Sequence, residues 1–150
     1  MSSRLFSSQL HDEQTFYKSF IEDLRNCKNE VIIESPFITT ERMRGLKPIF
    51  EKLVDRGVRV FIITRDPTEH IGGYEIQSEA EISYFEALGV QVLLCVGSHH
   101  RKLAISDRKV LWEGSLNILS QTHSREIMRR IEEKEIAQEM FDFLKLDRFI

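Results

Sequence analysis

The sequence has no basic excess. Its 21 lysines and arginines are outnumbered by 24 aspartates and glutamates, giving a formal charge of -3. Broad, sequence-independent coating of nucleic acid normally shows as a surplus of positive charge, so any anion site must be local. Cysteine is scarce: Cys27 and Cys95 are the only two, with no CxxC spacing and no second pair. That excludes a disulfide framework and a zinc cluster, and both residues are expected to be buried free thiols. No apolar run is long enough to cross a bilayer, and Met1-Ser2-Ser3-Arg4-Leu5-Phe6 lacks the apolar segment of a secretory signal. The expectation is a cytoplasmic protein with no membrane partner. No linker, low-complexity tract or long charge block divides the chain.

What is present is the composition of a folded protein: 41% hydrophobic and 30% charged residues over 150 positions, enough for one domain spanning 1–150. A helix-to-strand transition occurs twice, at Gly57-Val58-Arg59-Val60 and Gly89-Val90-Gln91-Val92. A glycine just past a helix takes the left-handed conformation, and the β-branched residues after it favour a strand. Leu46, Ile49, Phe50, Leu53 and Val54 form a stripe at helical spacing before the first transition, with Pro48 best suited to that helix's first turn. Ile82, Phe85 and Leu88 precede the second, and Phe16, Phe20, Ile21 and Leu24 mark an earlier amphipathic helix. Val31-Ile32-Ile33, Val60-Phe61-Ile62-Ile63 and Val92-Leu93-Leu94 are the short continuous apolar runs of strands covered on both faces. Their alternation with helices predicts an α/β sandwich.

After Val96-Gly97-Ser98 the rhythm changes. Residues 102–106 and 109–113 read as two strands joined by a tight turn at Asp107-Arg108, residues 126–131 as a last strand, and Ile136, Met140, Phe141 and Leu144 as a closing helix. On an extended segment His100 and Lys102 share one face while Leu103 and Ile105 turn to the core. A nucleophile and a cation would then face one anion. Ser115 and Asn117 repeat that spacing beside Gly114, where the backbone can approach closely and hydroxyl and amide donors can hold phosphate oxygens.

Read as a whole, His100-Arg101-Lys102, four residues, Asp107, six residues, Gly114-Ser115-Leu116-Asn117 resembles the phospholipase D superfamily signature at every fixed position. Ile33-Glu34-Ser35-Pro36-Phe37 and Arg56-Gly57-Val58-Arg59-Val60 resemble the family's earlier strands. The resemblance implies a phospholipase D-like α/β sandwich, a mixed central sheet with helices on both faces and one motif per chain. It implies that His100 attacks phosphorus to give a covalent phosphohistidine, while Lys102, Ser115 and Asn117 stabilise charge on the phosphate oxygens, with no cofactor and no metal. Glu126 is the candidate carboxylate for the far ring nitrogen of His100. Asp107, at the hairpin turn, is expected to act by ion pairing or hydrogen bonding around the site without touching phosphate.

Cleavage also needs an acid for the leaving oxygen. The family supplies it from a second HxK motif, yet His11, His70, His99 and His123 are not followed two places on by lysine. The expected solution is a homodimer that places two His100 residues across one phosphate. The expected activity is that of a nuclease acting on DNA, with RNA as a second substrate class, because the shortest one-motif members of the superfamily resemble nucleases. Two alternatives stand beside it: a silent DNA- or protein-docking module of a helicase or restriction assembly, and a phospholipase or phosphatidyl transferase. The latter requires an apolar cleft or interfacial segment, for which the sequence gives no sign. Arg101, Arg108, Lys109, Arg125, Arg129 and Arg130 are candidates for the rim of a nucleic-acid groove. Trp112 is expected to be packing. His99 is expected to point away from His100, and a metal on His99, His100 and Cys95 lacks a fourth partner. Substrate preference is assigned to loops such as residues 68–77.

Overall fold

Three apolar runs become the centre of a sheet in the computed structural model, which describes residues 7–69, 74–120 and 123–150. The chain runs β1 (Ser7–Asp12), α1 (Phe16–Asn26), β2 (Glu30–Glu34), α2 (Thr40–Asp55), β3 (Arg59–Arg65), α3 (Tyr74–Leu88), β4 (Gln91–Cys95), β5 (Leu103–Ser106), β6 (Val110–Gly114), β7 (Ile127–Glu132) and α4 (Lys134–Phe143). Among the described residues the seven strands form one sheet in the order β1-β7-β6-β5-β2-β3-β4. β2, β3 and β4 are parallel, and every pairing from β2 outward through β5, β6, β7 and β1 is antiparallel. This is the mixed sheet expected from the motif.

Alternation along each strand builds two cores. Val31, Ile33, Val60 and Ile62 pack with Phe20, Phe50 and Phe85 of the first three helices. Ile32, Phe61, Ile63, Leu103 and Ile105 turn to the opposite face, where Phe141 and Leu144 close over them. Continuous apolar runs are what two covered faces require.

Gly57 and Gly89 adopt φ of 84° and 105°. In both places the valine that follows donates its N–H back five residues, Val58 to Leu53 and Val90 to Phe85, which closes the helix and aims the chain into the next strand. The β5–β6 hairpin turns on Asp107 and Arg108, both at φ 52°, a conformation that matches the twist of the flanking strands.

Two expectations change, and one strand is new. Pro48 lies inside α2, not in its first turn, because α2 starts at Thr40 with a Thr39 cap. Pro48 and Arg44 are both exposed, so the carbonyl that loses its donor can be hydrated and the helix continues. Cys95 is only half-buried, near the end of an edge strand, whereas Cys27 is buried; burial pushes the Cys27 thiol up to about 11. β1 was not anticipated, because Ser7-Ser8-Gln9-Leu10-His11-Asp12 has no apolar alternation. It exists as an edge strand fully paired with β7. Among the described residues no helix is long and apolar enough to cross a membrane.

Candidate active site

His100 and Lys102 sit on the extended segment that enters β5. A ladder bond from Gly114 N–H to the Lys102 carbonyl, at 3.4 Å, joins this segment to the end of β6. The two side chains meet: Lys102 Nζ is 2.8 Å from His100 Nδ1 and 3.0 Å from the His100 carbonyl oxygen. The ring of Phe37 stands edge-on to the imidazole at 6.2 Å. An ammonium can only donate, so in this arrangement Nδ1 is the acceptor.

Gly114 is required for reasons other than phosphate approach. A Cβ there would lie 2.1 Å from the Ile127 carbonyl and 2.8 Å from the Met128 sulfur, so the glycine lets β7 close on β6. That closure locates Ser115, whose N–H donates to the Ile127 carbonyl at 2.9 Å and whose Oγ accepts from the Ile127 N–H at 3.1 Å. Glu126 follows directly. Its carboxylate accepts from the Ser124 hydroxyl and lies near Ser115 and Lys102. The neighbouring hydroxyls of Ser115 and Ser124 hold Glu126 below its ordinary value of 4.5, against the opposing pull of desolvation. Partial burial pulls Lys102 below its ordinary 10.5, partly offset by Glu126. Asn117 has a side-chain oxygen shielded from solvent and, among the described residues, without a hydrogen-bond partner. Its flanking residues Leu116, Ile118 and Leu119 are all buried.

His100, Lys102, Ser115 and Glu126 thus form one connected group, with Asn117 two residues past Ser115. Asp107 does not join it. It stands beyond the far end of β5, roughly 15 Å from Lys102 at the rise of a strand. There its carboxylate accepts from the backbone N–H groups of Lys28, Asn29 and Glu30 at 2.9, 2.7 and 3.1 Å. Burial raises its pKa, but the three donors outweigh that and hold it below 3.8. Hydrogen bonding was the expected mode, but it ties a loop to a turn and lies away from the site. Glu126 also differs from expectation, because Nδ1 of His100 faces Lys102 and not this carboxylate.

A cavity of about 640 Å³ opens on His100 and Lys102. Arg101 and Arg129 contribute to its lining, and Leu10, Ile127, Met140 and Phe143 give it an apolar wall. Leu10, Ile127 and Phe143 are 64%, 65% and 80% exposed. An apolar cleft, not visible in the sequence, is therefore present, assembled from β1, β7 and α4.

The six basic residues do not form one rim. Arg108 pairs with Glu30 and stacks 4.0 Å over Phe141 at the Asp107 end, beside Lys109. Arg130 is committed to Asp23 at 2.8 Å. Arg125 is exposed. Trp112 is buried in the core with its indole N–H on Asp23 at 2.7 Å, as packing requires. His99 points away from His100, with Nε2 2.8 Å from the buried carboxylate of Glu34. Sequence reasoning gave Glu34 no role; the available signal was a charged residue directly continuing the run Val31-Ile32-Ile33. Among the described residues no three His, Cys, Asp or Glu side chains converge as a metal site. Residues 70–73, within the loop expected to set substrate preference, and residues 1–6, read for a leader, lie outside the described residues.

The family profile described as "Cardiolipin synthase, PLD-like domain" matches residues 20–146. Among solved structures, the chain is similar to NucT from Helicobacter pylori, with a TM-score of 0.71, 17% identity and 94% of each chain covered. It is similar to Nuc from Salmonella typhimurium, a phospholipase D family member, with a TM-score of 0.73, 19% identity and coverage of 97% of this chain and 95% of that one. It is also similar to phosphatidylserine synthase from Haemophilus influenzae, with a TM-score of 0.69 and 15% identity, covering 96% of this chain and 38% of that one. Among curated proteins, none matches.

Proposed function

This chain belongs to the phospholipase D superfamily, and from that premise we propose that it is a metal-independent phosphodiesterase, a nuclease acting on DNA or RNA through His100 in a homodimeric site. The observation that carries the reading is the contact of Lys102 Nζ with His100 at the mouth of an open cavity, beside Ser115 and Glu126. A phosphodiester anion is a better partner for an ammonium than a neutral ring nitrogen is. On binding, Lys102 turns to a non-bridging oxygen and releases Nδ1; the neutral ring then gives up its Nε2 proton to solvent and takes one at Nδ1, directed toward Glu126, which leaves the Nε2 lone pair free.

The Nε2 lone pair forms the P–N bond as the P–O bond to the leaving group breaks. Lys102, Ser115 and Asn117 hold the charge on the remaining oxygens. His100 of the partner subunit protonates the leaving oxygen, then removes a proton from water, whose oxygen bonds to phosphorus as the P–N bond breaks and His100 is released. The exposed Leu10, Ile127 and Phe143 beside His100 support a dimer, since an apolar patch next to a half-complete site fits a second copy.

The test is cleavage of DNA and RNA in excess chelator, with trapping of a phosphorylated histidine and sedimentation at assay concentration. Activity that persists with chelator, vanishes in His100→Ala and tracks a dimer is expected. A fully active monomer removes the shared site, and chelator-sensitive cleavage removes the metal-independent mechanism.

The apolar cavity wall favours one second reading, hydrolysis or transfer at a phospholipid diester. The near-complete coverage of NucT and Nuc, against 38% of the phosphatidylserine synthase, supports the first. Headgroup release from phosphatidylcholine without nuclease activity reverses the order. Binding of nucleic acid with no turnover of any diester supports instead a docking module, as in a helicase or restriction assembly.

A further inference from the structure

Glu34 is completely buried at the end of β2, and its partners come from either side of the proposed nucleophile. One oxygen, Oε1, accepts from Arg101 Nε at 3.0 Å and lies 2.8 Å from His99 Nε2, a polar contact without hydrogen-bond alignment. Among the described residues the other oxygen has no hydrogen-bond partner. His99 and Arg101 occupy the i-1 and i+1 positions around His100 and both reach the Glu34 carboxylate, while Arg101 also lines the cavity beside His100 and Lys102. The structure shows both pairs: His99 and Arg101 on one carboxylate, His100 and Lys102 on each other.

Stability does not account for this arrangement. A buried carboxylate with an unpaired oxygen carries a desolvation cost that one shared contact does not recover, and an apolar side chain of similar volume is often as stable or more so. We propose that Glu34 is a positioning residue: it clamps the residues on both sides of His100 and so fixes the backbone that presents the imidazole and Lys102 to the cavity. A second carboxylate anchors the approach to this segment. Glu69 accepts from the N–H groups of Gly97 and Ser98 at 2.8 and 3.4 Å, where the chain turns through φ of 92° and 61°. Rotation about the segment entering β5 is thereby restricted on both flanks, and a nucleophile held within a fraction of an ångström keeps its rate advantage.

This inference rests on the phosphodiesterase reading, and the test separates the two. Hydrolysis of bis(p-nitrophenyl) phosphate is measured for the wild type, Glu34→Gln and Glu34→Asp, with thermal melting of each. In Glu34→Gln kcat is expected to fall at least about 10-fold while KM stays within about twofold and the melting temperature holds or rises; Glu34→Asp recovers part of kcat. Unchanged kcat in folded Glu34→Gln overturns the clamp, and so does a loss that appears only in KM. Should Glu34→Gln fail to fold, Arg101→Gln, which removes one half-exposed tether, gives the same split between kcat and KM. Should the wild type hydrolyse no diester, it is the proposed function that fails. The clamp is then read from the ring nitrogen NMR signals of His100, which are expected to be single in the wild type and doubled or broadened in Glu34→Gln; identical spectra overturn it.

Discussion

Strand β2 begins and ends on a buried glutamate, and the two are treated in opposite ways. Glu30 spends both oxygens on arginines, Arg59 Nη2 at 3.0 Å and Arg108 Nε at 2.9 Å. Beside it the Asp107 carboxylate takes three backbone donors. Glu34, four residues on, has one oxygen without a partner among the described residues and shares the other between His99 and Arg101. One end of the sheet is satisfied and closed; the other is under-satisfied and opens on a cavity. Buried polar groups left incomplete cost stability and are the usual mark of a functional end.

The largest effect that can break this comparison is at the open end. His100→Ala is expected to lower kcat at least about 10⁴-fold with little change in melting temperature, since the imidazole is exposed; a measurable residual rate equal to the wild type ends the contrast. Next comes the closed end. Glu30→Ala leaves two arginines without their acid and is expected to cost roughly 2–4 kcal/mol in denaturant unfolding, below the value for a fully buried pair because Arg59 and Arg108 are part-exposed. The kcat of the folded fraction is expected to be unchanged, and a loss of kcat here would merge the two ends.

A smaller effect sharpens the comparison through pH. Because partial burial lowers Lys102 below 10.5, it sheds its proton earlier than a free lysine, so the alkaline limb of kcat/KM is expected below pH 10.5. Asp107 acts at the acid end of the range, and on stability. Its lowered pKa contributes stability that is complete above pH 3.8 and lost as pH falls through the lower folded-state value; Asp107→Asn should flatten that acid dependence of unfolding without moving the activity limb. The smallest effect is on the basic residues. Arg129→Ala, at the cavity, is expected to raise KM a few-fold and reduce the salt slope by about one charge, whereas Arg108→Ala should alter neither.

Much of this was legible from local pattern. The Gly-Val transitions, the two-faced apolar runs and the hairpin at Asp107-Arg108 are set by interactions within a few residues, and each stands where its pattern put it. The His100 to Asn117 spacing was readable because it resembles the phospholipase D signature at every fixed position, and the two i, i+2 pairs within it follow the strand period. What escaped was anything made by distant segments. β1 forms on backbone pairing with β7 and needs no apolar pattern. The cavity wall joins Leu10, Ile127 and Phe143 from three elements. Pro48 could stay inside α2 only because its face turned out to be wet.

The sequence by itself determined the chemistry offered: an imidazole, an ammonium, a hydroxyl and an amide at two i, i+2 spacings around one hairpin, with a single copy of the motif. Only the tertiary structure decided which carboxylates serve that chemistry. Asp107, inside the motif, is carried to the far end by the length of β5, while Glu34, far away in sequence, is brought alongside by the antiparallel register that sets Glu34 opposite Leu103. Side-chain identity is local, but the pairing of buried charges is fixed by strand register, and register is settled only when the whole sheet has formed.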